Sequence, residues 1–360
     1  MAPAAGQRFA GAGAPPPKPK SNVLKTVLVI TAVLVVLAAV GAGGWFGYSK
    51  YKAAQDKKEA AKGNPAARVA TPTAASAAGA LDLMAKVHNA YTNLNSLDVS
   101  GTSRMVLDMS ELTAADVNPN ANKNAKNANR RPANMPKGMT NSSEVSIKLA
   151  RPNMYRIEGI GKMEMGRQSM TNTIAIWSSG PTNYSLMIMG GGAFKRYTTV
   201  KDRDMAFFSS GQTGGLAMAI PQMFFGDTGK MAALIKDWGQ TDDDSVNGTD
   251  CYTVTAKMMG QKLKLWINKS SYLILQSQIT LGAPVDEADL DAAFDTFNTE
   301  TNQQKIAQEK MQAKTQMAMM TKIRGTLTET YDHVQTNPTL NQDDFSYPVP
   351  RGTRLTPGGM

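Results

Sequence analysis

Hydrophobic and polar positions change their period several times along these 360 residues. From Val27 to Val40 every residue but Thr31 is strongly apolar or Ala, and Gly41 to Tyr48 continues without a charge. That run of about 22 residues matches a hydrocarbon core of ~30 Å, with Trp45, Phe46 and Tyr48 as interfacial aromatics. It predicts a transmembrane helix within residues 23–49. A cleaved signal peptide is the alternative, because Val40-Gly41-Ala42 is a tolerable cleavage context.

Residues 1–22, with Pro15-Pro16-Pro17, are too poor in large apolar groups to bury a core and are expected to be a disordered tail. Residues 50–79 read as an Ala- and Lys-rich linker. A helix is predicted from about Leu81 to Asn93, where Leu83, Val87, Ala90, Tyr91 and Leu94 share one face. From Leu97 the period becomes two: Val99, Met105, Leu107 and Met109 fall on one side, and Asp98, Ser100, Arg104 and Asp108 on the other. Val145, Ile147 and Leu149 resume the alternation, and Tyr155 to Ile160 begins another strand after Arg151-Pro152. Further strands are expected at Asn172 to Trp177, Asn183 to Met189, Phe194 to Val200, Asp250 to Lys257, Lys262 to Asn268, Tyr272 to Leu281 and Ile323 to Val334. Glycine runs and Asn268-Lys269-Ser270-Ser271 supply the turns.

Two stretches interrupt this order. Residues 113–141 are dominated by Asn, Ala, Lys and Pro, and residues 286–320 by Gln, Lys and Met; both read as polar insertions. Between Met205 and Leu234 the strand period gives way to an apolar, glycine-interrupted region, which reads as short helices around Pro221. The remainder, residues 80–354, is one domain of mainly β (α+β) character.

Charge sharpens the picture. Of the formal +10, residues 1–70 carry ten Lys or Arg against two Asp or Glu, so the chain beyond them is almost neutral. With no basic stripe between Trp177, Trp238 and Trp266, a nucleic-acid partner is not expected. Lysines flank the apolar run on both sides and leave orientation open by charge alone. The short tail before the run favours export of the domain after it.

Candidate chemistry is sparse. His88 and His333 are the two histidines and Cys251 the single cysteine, so no intramolecular disulfide and no two-cysteine metal site exists. Cys251, in an alternating strand with no adjacent base, reads as a buried, inert thiol. Asp242-Asp243-Asp244 lacks the flanking spacing of a calcium loop and reads as a solvated turn. Gly190-Gly191-Gly192 is not followed by Lys-Ser or Lys-Thr and reads as a hairpin turn rather than a phosphate loop. No catalytic residue, metal site or cofactor is expected.

Several local patterns occur in order. They are Ala90-Tyr91-Thr92-Asn93-Leu94 before the first strand, Arg151-Pro152 leading into Tyr155-Arg156-Ile157-Glu158, and Val246-Asn247-Gly248 with Cys251-Tyr252. Leu265-Trp266-Ile267-Asn268 with Tyr272-Leu273 comes next, then Phe345 to Pro350-Arg351-Gly352. In this order the chain, over roughly residues 81–354, resembles the LolA/LolB-like superfamily of periplasmic lipoprotein carriers. The resemblance implies a strongly curved antiparallel half-barrel with a helical lid and an apolar cavity for acyl chains. With the apolar run Val27 to Tyr48 as a single-pass anchor in the bacterial inner membrane, the resemblance puts the C-terminal domain in the periplasm.

The 23 methionines suit a surface that repacks around lipid tails, although by composition alone they better suit the core of an ordinary sheet domain, and it is the resemblance that turns the reading toward a cavity. Met205, Phe207, Phe208, Leu216, Met218, Met223, Phe224 and Phe225 are the candidate lid residues. The expected function is non-catalytic binding of a lipid or of lipoprotein acyl chains. The alternative is an envelope structural or regulatory module that binds a protein partner through the same fold.

Overall fold

The computed structural model describes residues 74–113, 136–211, 215–226, 235–258, 260–284, 291 and 321–356. The first helix, α1 (Ala74–Thr92), begins earlier than its periodicity predicts. Its buried stripe is Ala80, Leu83, Met84, Val87 and Tyr91, a spacing of three and four that keeps one face on the sheet. The Tyr91 hydroxyl accepts the Ile274 amide N–H at 3.1 Å, fixing that face against the strands.

Among the described residues twelve strands come after it. β1 (Ser96–Asp108), β2 (Gly138–Ala150), β3 (Met154–Met165), β4 (Gln168–Ser178), β5 (Asn183–Met189) and β6 (Phe194–Val200) form one antiparallel meander. Two helices interrupt, α2 (Arg203–Ser210) and α3 (Gly215–Phe225). β7 (Ile235–Val246), β8 (Thr249–Met258), β9 (Gln261–Asn268), β10 (Ile274–Leu281) and β11 (Arg324–Thr336) form a second meander, and β12 (Leu355–Thr356) is the last strand. The order across the single sheet is β12-β6-β5-β4-β3-β2-β1-β11-β10-β9-β8-β7. The second meander is thus stitched to the first through the β1–β11 pair. Its register shifts between Ser100 and Gly101. A Cβ on Gly101 would lie 2.0 Å from the Thr330 carbonyl oxygen, so the close approach of the two backbones there requires glycine.

The expected half-barrel is corrected by this topology. The sheet is open, with β7 and β12 as its edges, and it is neither closed nor strongly curled. Its edges explain why. β12 has only two residues, and β7 has two register shifts and three consecutive aspartates, devices that oppose further edge pairing. No transmembrane helix is found either: among the described residues no helix is long and apolar enough to cross a membrane. The run from Val27 to Tyr48, the tail and the linker lie outside the described residues.

The main core lies on one face of the sheet. Leu97, Val99, Ile147, Leu149, Tyr155, Ile157, Ile176, Val254, Leu265 and Ile267 project there from six strands and join the apolar faces of α1, α2 and α3. The other face is more polar and, among the described residues, carries two buried apolar patches. Trp266, Cys251, Val246 and Leu275 form one. Trp177, Ala175 and Leu186 form the other, packed with Tyr184, Tyr197, Tyr347 and Val349.

The C-terminal segment lies along that second face. Lys148 Nζ pairs with Asp344 at 2.8 Å, Arg156 donates to the Ser346 carbonyl at 3.0 Å, and Tyr347 packs on Trp177 at 5.4 Å between centroids. Asp242, Asp243 and Asp244 belong to β7 rather than to a solvated turn. The Trp266 indole N–H donates to Asp244 at 2.9 Å and holds that carboxyl below the usual range.

Candidate functional site

The α2–α3 pair is the apolar interruption read from sequence, and its placement depends on charge as well as on packing. Glu329, on β11, projects to the core side between Leu327 and Tyr331 and is 1% exposed. Its carboxylate accepts the Leu216 amide N–H, with Gly215 and Ala217 also donating, at the N-terminus of α3. The positive end of the helix favours an anion there. Burial outweighs those hydrogen bonds and pushes the carboxyl up to about 7. The Tyr331 hydroxyl donates to Glu329 Oε1 at 3.4 Å.

At the opposite end of α3, Arg151 donates to the Phe224 carbonyl, to Thr92 O at 2.8 Å and to Leu94 O at 2.9 Å. Its guanidinium lies 4.9 Å from the Phe224 ring centroid. One cation therefore serves the C-terminal carbonyls of α1 and α3 together. Ser210 Oγ, lying 2.6 Å from Phe207 O and 3.0 Å from Ala217 O, ties α2 to α3.

Under the pair an aromatic cluster forms around Tyr155, whose hydroxyl donates to Asn183 Oδ1 at 2.7 Å. Phe207 meets Tyr155 edge-on at 4.9 Å and stacks on Phe225 at 5.8 Å, while Phe224 meets Phe225 at 4.9 Å. The structure thus brings Phe207, Phe224 and Phe225 together. Leu216, Met218 and Met223 are buried on α3. Met205 and Phe208 fall on α2, but their side chains are outside the described set.

Away from this cluster, at the far ends of β1 to β5, the same face changes character. Met105, Met109, Met139, Met163, Met165, Met170 and Met187 all belong to or pack against the main core there. Tyr155 and Met165 bracket β3, so the aromatic and methionine zones are about 30 Å apart at ~3.3 Å per residue.

A transverse polar row lies between the two zones. Ser277 pairs with Glu329, Glu329 with Ser103, Ser103 with Ser143, Ser143 with Gly161 and Gly161 with Asn172, crossing six strands in register. Ser103, Ser143, Ser277 and Glu329 are buried. Sequence reading missed this row and the roles of Glu329 and Arg151. The signal was present at Glu329, a charged residue in phase with Leu327 and Tyr331 on the apolar side of an alternating strand.

No arrangement suited to catalysis emerges among the described residues. No group of three or more His, Cys, Asp and Glu is placed to hold a metal ion there. Cys251 is buried, and burial raises its thiol above the ordinary value. The assembly offers buried apolar surface and a few buried hydrogen-bonding groups.

No protein-family model matches the chain, and no curated protein is similar to it in sequence. Among solved structures, the lipoprotein LppX of Mycobacterium tuberculosis is similar at 10% identity and a TM-score of 0.31, covering 74% of this chain and 99% of LppX. LprF of Mycobacterium bovis is similar at 10% identity and a TM-score of 0.31, covering 75% of this chain and 97% of LprF. Both likenesses are weak.

Proposed function

We infer that this chain is a non-catalytic binding protein of the bacterial envelope, with its sheet domain in the periplasm. It takes a lipid or the acyl chains of a lipoprotein along the inner face of the sheet, from the α2–α3 pair to the methionine-bearing strand ends. The observation that carries the reading is the gathering of methionines at one end of that face, seven on or beside five adjacent strands. Unbranched thioether side chains adapt to varied apolar shapes at low cost, whereas a core built for one packing favours branched residues. The core-facing Leu, Ile and Val positions of β1 and β2, except Leu107, lie at the opposite end of these strands, where α3 is pinned.

In this reading Met205, Phe207, Phe208, Leu216, Met218, Met223, Phe224 and Phe225 form the lid and its aromatic floor. Glu329 and Arg151 hold α3 at its two ends. Burial of an acyl chain contributes roughly 25 cal/mol per Å² of apolar surface. The test is native mass spectrometry of the purified full chain, with solvent extraction of whatever it carries. Lipid-mass adducts, or uptake of offered lipid at one or two per chain, are expected. A chain that emerges bare and takes up no lipid overturns the reading, and a stoichiometric protein partner in its place would favour an envelope regulatory module.

A further inference from the structure

We propose that the polar row is a subsite for a hydrogen-bond-donating headgroup, formed by Asn141, Asn172, Ser103 and Ser143 around Gly161. It recognises the hydroxyl or amide N–H groups of a neutral acyl lipid whose tail lies along the methionines. The proposal rests on the apolar-ligand reading above and adds the ligand's polar chemistry to it.

Two acceptors carry the argument. Asn141 is 8% exposed, and its Oδ1 has no hydrogen-bond partner; neither has the buried Oδ1 of Asn172. A buried acceptor without a partner costs about 1–3 kcal/mol, and native proteins leave few of them. Here two occur on the same face, one on β2 and one on β4. Asn141 pairs with Met105 and Met163, one position along β2 from the polar row on that face, and Asn172 pairs with Gly161 in the row itself.

Gly161 brings Asn172 beside the Ser143 hydroxyl of the row. A Cβ there would lie 2.1 Å from Ser143 Oγ and 2.9 Å from Asn172 Oδ1, so the missing side chain lets polar groups from neighbouring strands converge. Any larger residue would separate them.

The chemistry of the row selects the ligand. Its orphaned atoms are acceptors, so the ligand must supply donors. Its one ionisable member, Glu329, faces Ser103 directly and is already committed to the N-terminus of α3. No Lys or Arg stands in the row, so an anionic headgroup has no counter-charge there. Glycerol-type or sugar hydroxyls, or the amide of an N-acyl group, meet these requirements. A simple alkyl ester, which has no hydroxyl or N–H donor, does not.

The test compares monolaurin with methyl laurate, which share an acyl chain and ester and differ in the two hydroxyl-bearing carbons of the glycerol, as competitors for a dansyl-undecanoic acid probe bound to the full chain. Monolaurin is expected to displace the probe at a concentration at least tenfold lower. In Asn141→Leu/Asn172→Val the ratio should fall to within twofold. Gly161→Ala, which puts a methyl group among the converging atoms, should lower it as well. Equal competition by the two lipids in the unaltered chain overturns the subsite and leaves the apolar-ligand reading standing, with water as the partner of the two amides. A full preference that persists in a folded Asn141→Leu/Asn172→Val chain also overturns it. Failure of the chain to bind the probe or either lipid removes both readings together.

Discussion

Replacing Glu329 by Gln should change how stability depends on pH more than it changes stability itself. The carboxyl is 1% exposed and burial raises it from 4.5 to about 7, against the pull of the α3 amides and Tyr331. A group raised in the folded state binds its proton more tightly there than in the unfolded chain. Between about pH 4.5 and 7 the folded form therefore holds a proton that the unfolded form has released, and stability falls as pH rises through that window. At ~1.36 kcal/mol per pH unit the full loss is on the order of 3 kcal/mol.

Gln keeps an acceptor for the helix amides and carries no charge, so E329Q should lack this slope. Urea unfolding at pH 5, 6, 7 and 8 measures it. The parent chain should lose on the order of 2–3 kcal/mol relative to E329Q from the lowest to the highest pH. Parallel stability curves, or a parent that gains on E329Q as pH rises, would refute the reasoning.

Other outcomes rest on the same contacts. Arg151→Ala removes the donor shared by the Phe224, Thr92 and Leu94 carbonyls and should cost about 2–4 kcal/mol in urea unfolding, with Arg151→Lys recovering only part. Gly101→Ala forces a methyl against the Thr330 carbonyl and should destabilise by about 3 kcal/mol, visible as a lower thermal midpoint. Phe224→Ala deletes a fully buried ring from the aromatic cluster and should cost about 3–5 kcal/mol by the same measurement. Cys251 should react with a thiol reagent far more slowly in the folded chain than in denaturant, and equal rates would contradict its burial.

Periodicity made most of the elements legible. The stripe ending in Tyr91 is α1, the alternation from Leu97 is β1, and the apolar interruption around Pro221 is the α2–α3 pair. β7 escaped because an edge strand faces few apolar neighbours. Among its residues only Ile235, Trp238 and Val246 are large and apolar, and its register shifts break any alternation. The strand from Gly138 also began within the stretch read as an insertion, because Ser142 and Ser143 hid the alternation of Met139 and Val145. Residues 114–135 of that insertion, and all but residue 291 of the stretch 286–320, are outside the described residues.

The open sheet was not legible, since closure depends on the edge strands rather than on the period within each strand. The polar row was hidden for a related reason. Apart from Glu329, each of its members is an ordinary Ser, Asn or Gly within its own strand, and only the cross-strand register gathers them. The candidate lid residues fall where apolar density is high, whereas Glu329 and Arg151, which hold the two ends of α3, lie far from it in sequence.

The most direct test of ligand binding between helices and sheet is photo-crosslinking of the full chain with a diazirine-bearing fatty acid, mapped by peptide mass spectrometry. Label is expected on α2, α3 and the methionine-bearing ends of β1 to β4, and unlabelled fatty acid should compete it away. Label confined to the opposite face around Trp177, or no competable label at all, would contradict binding between the helices and the sheet.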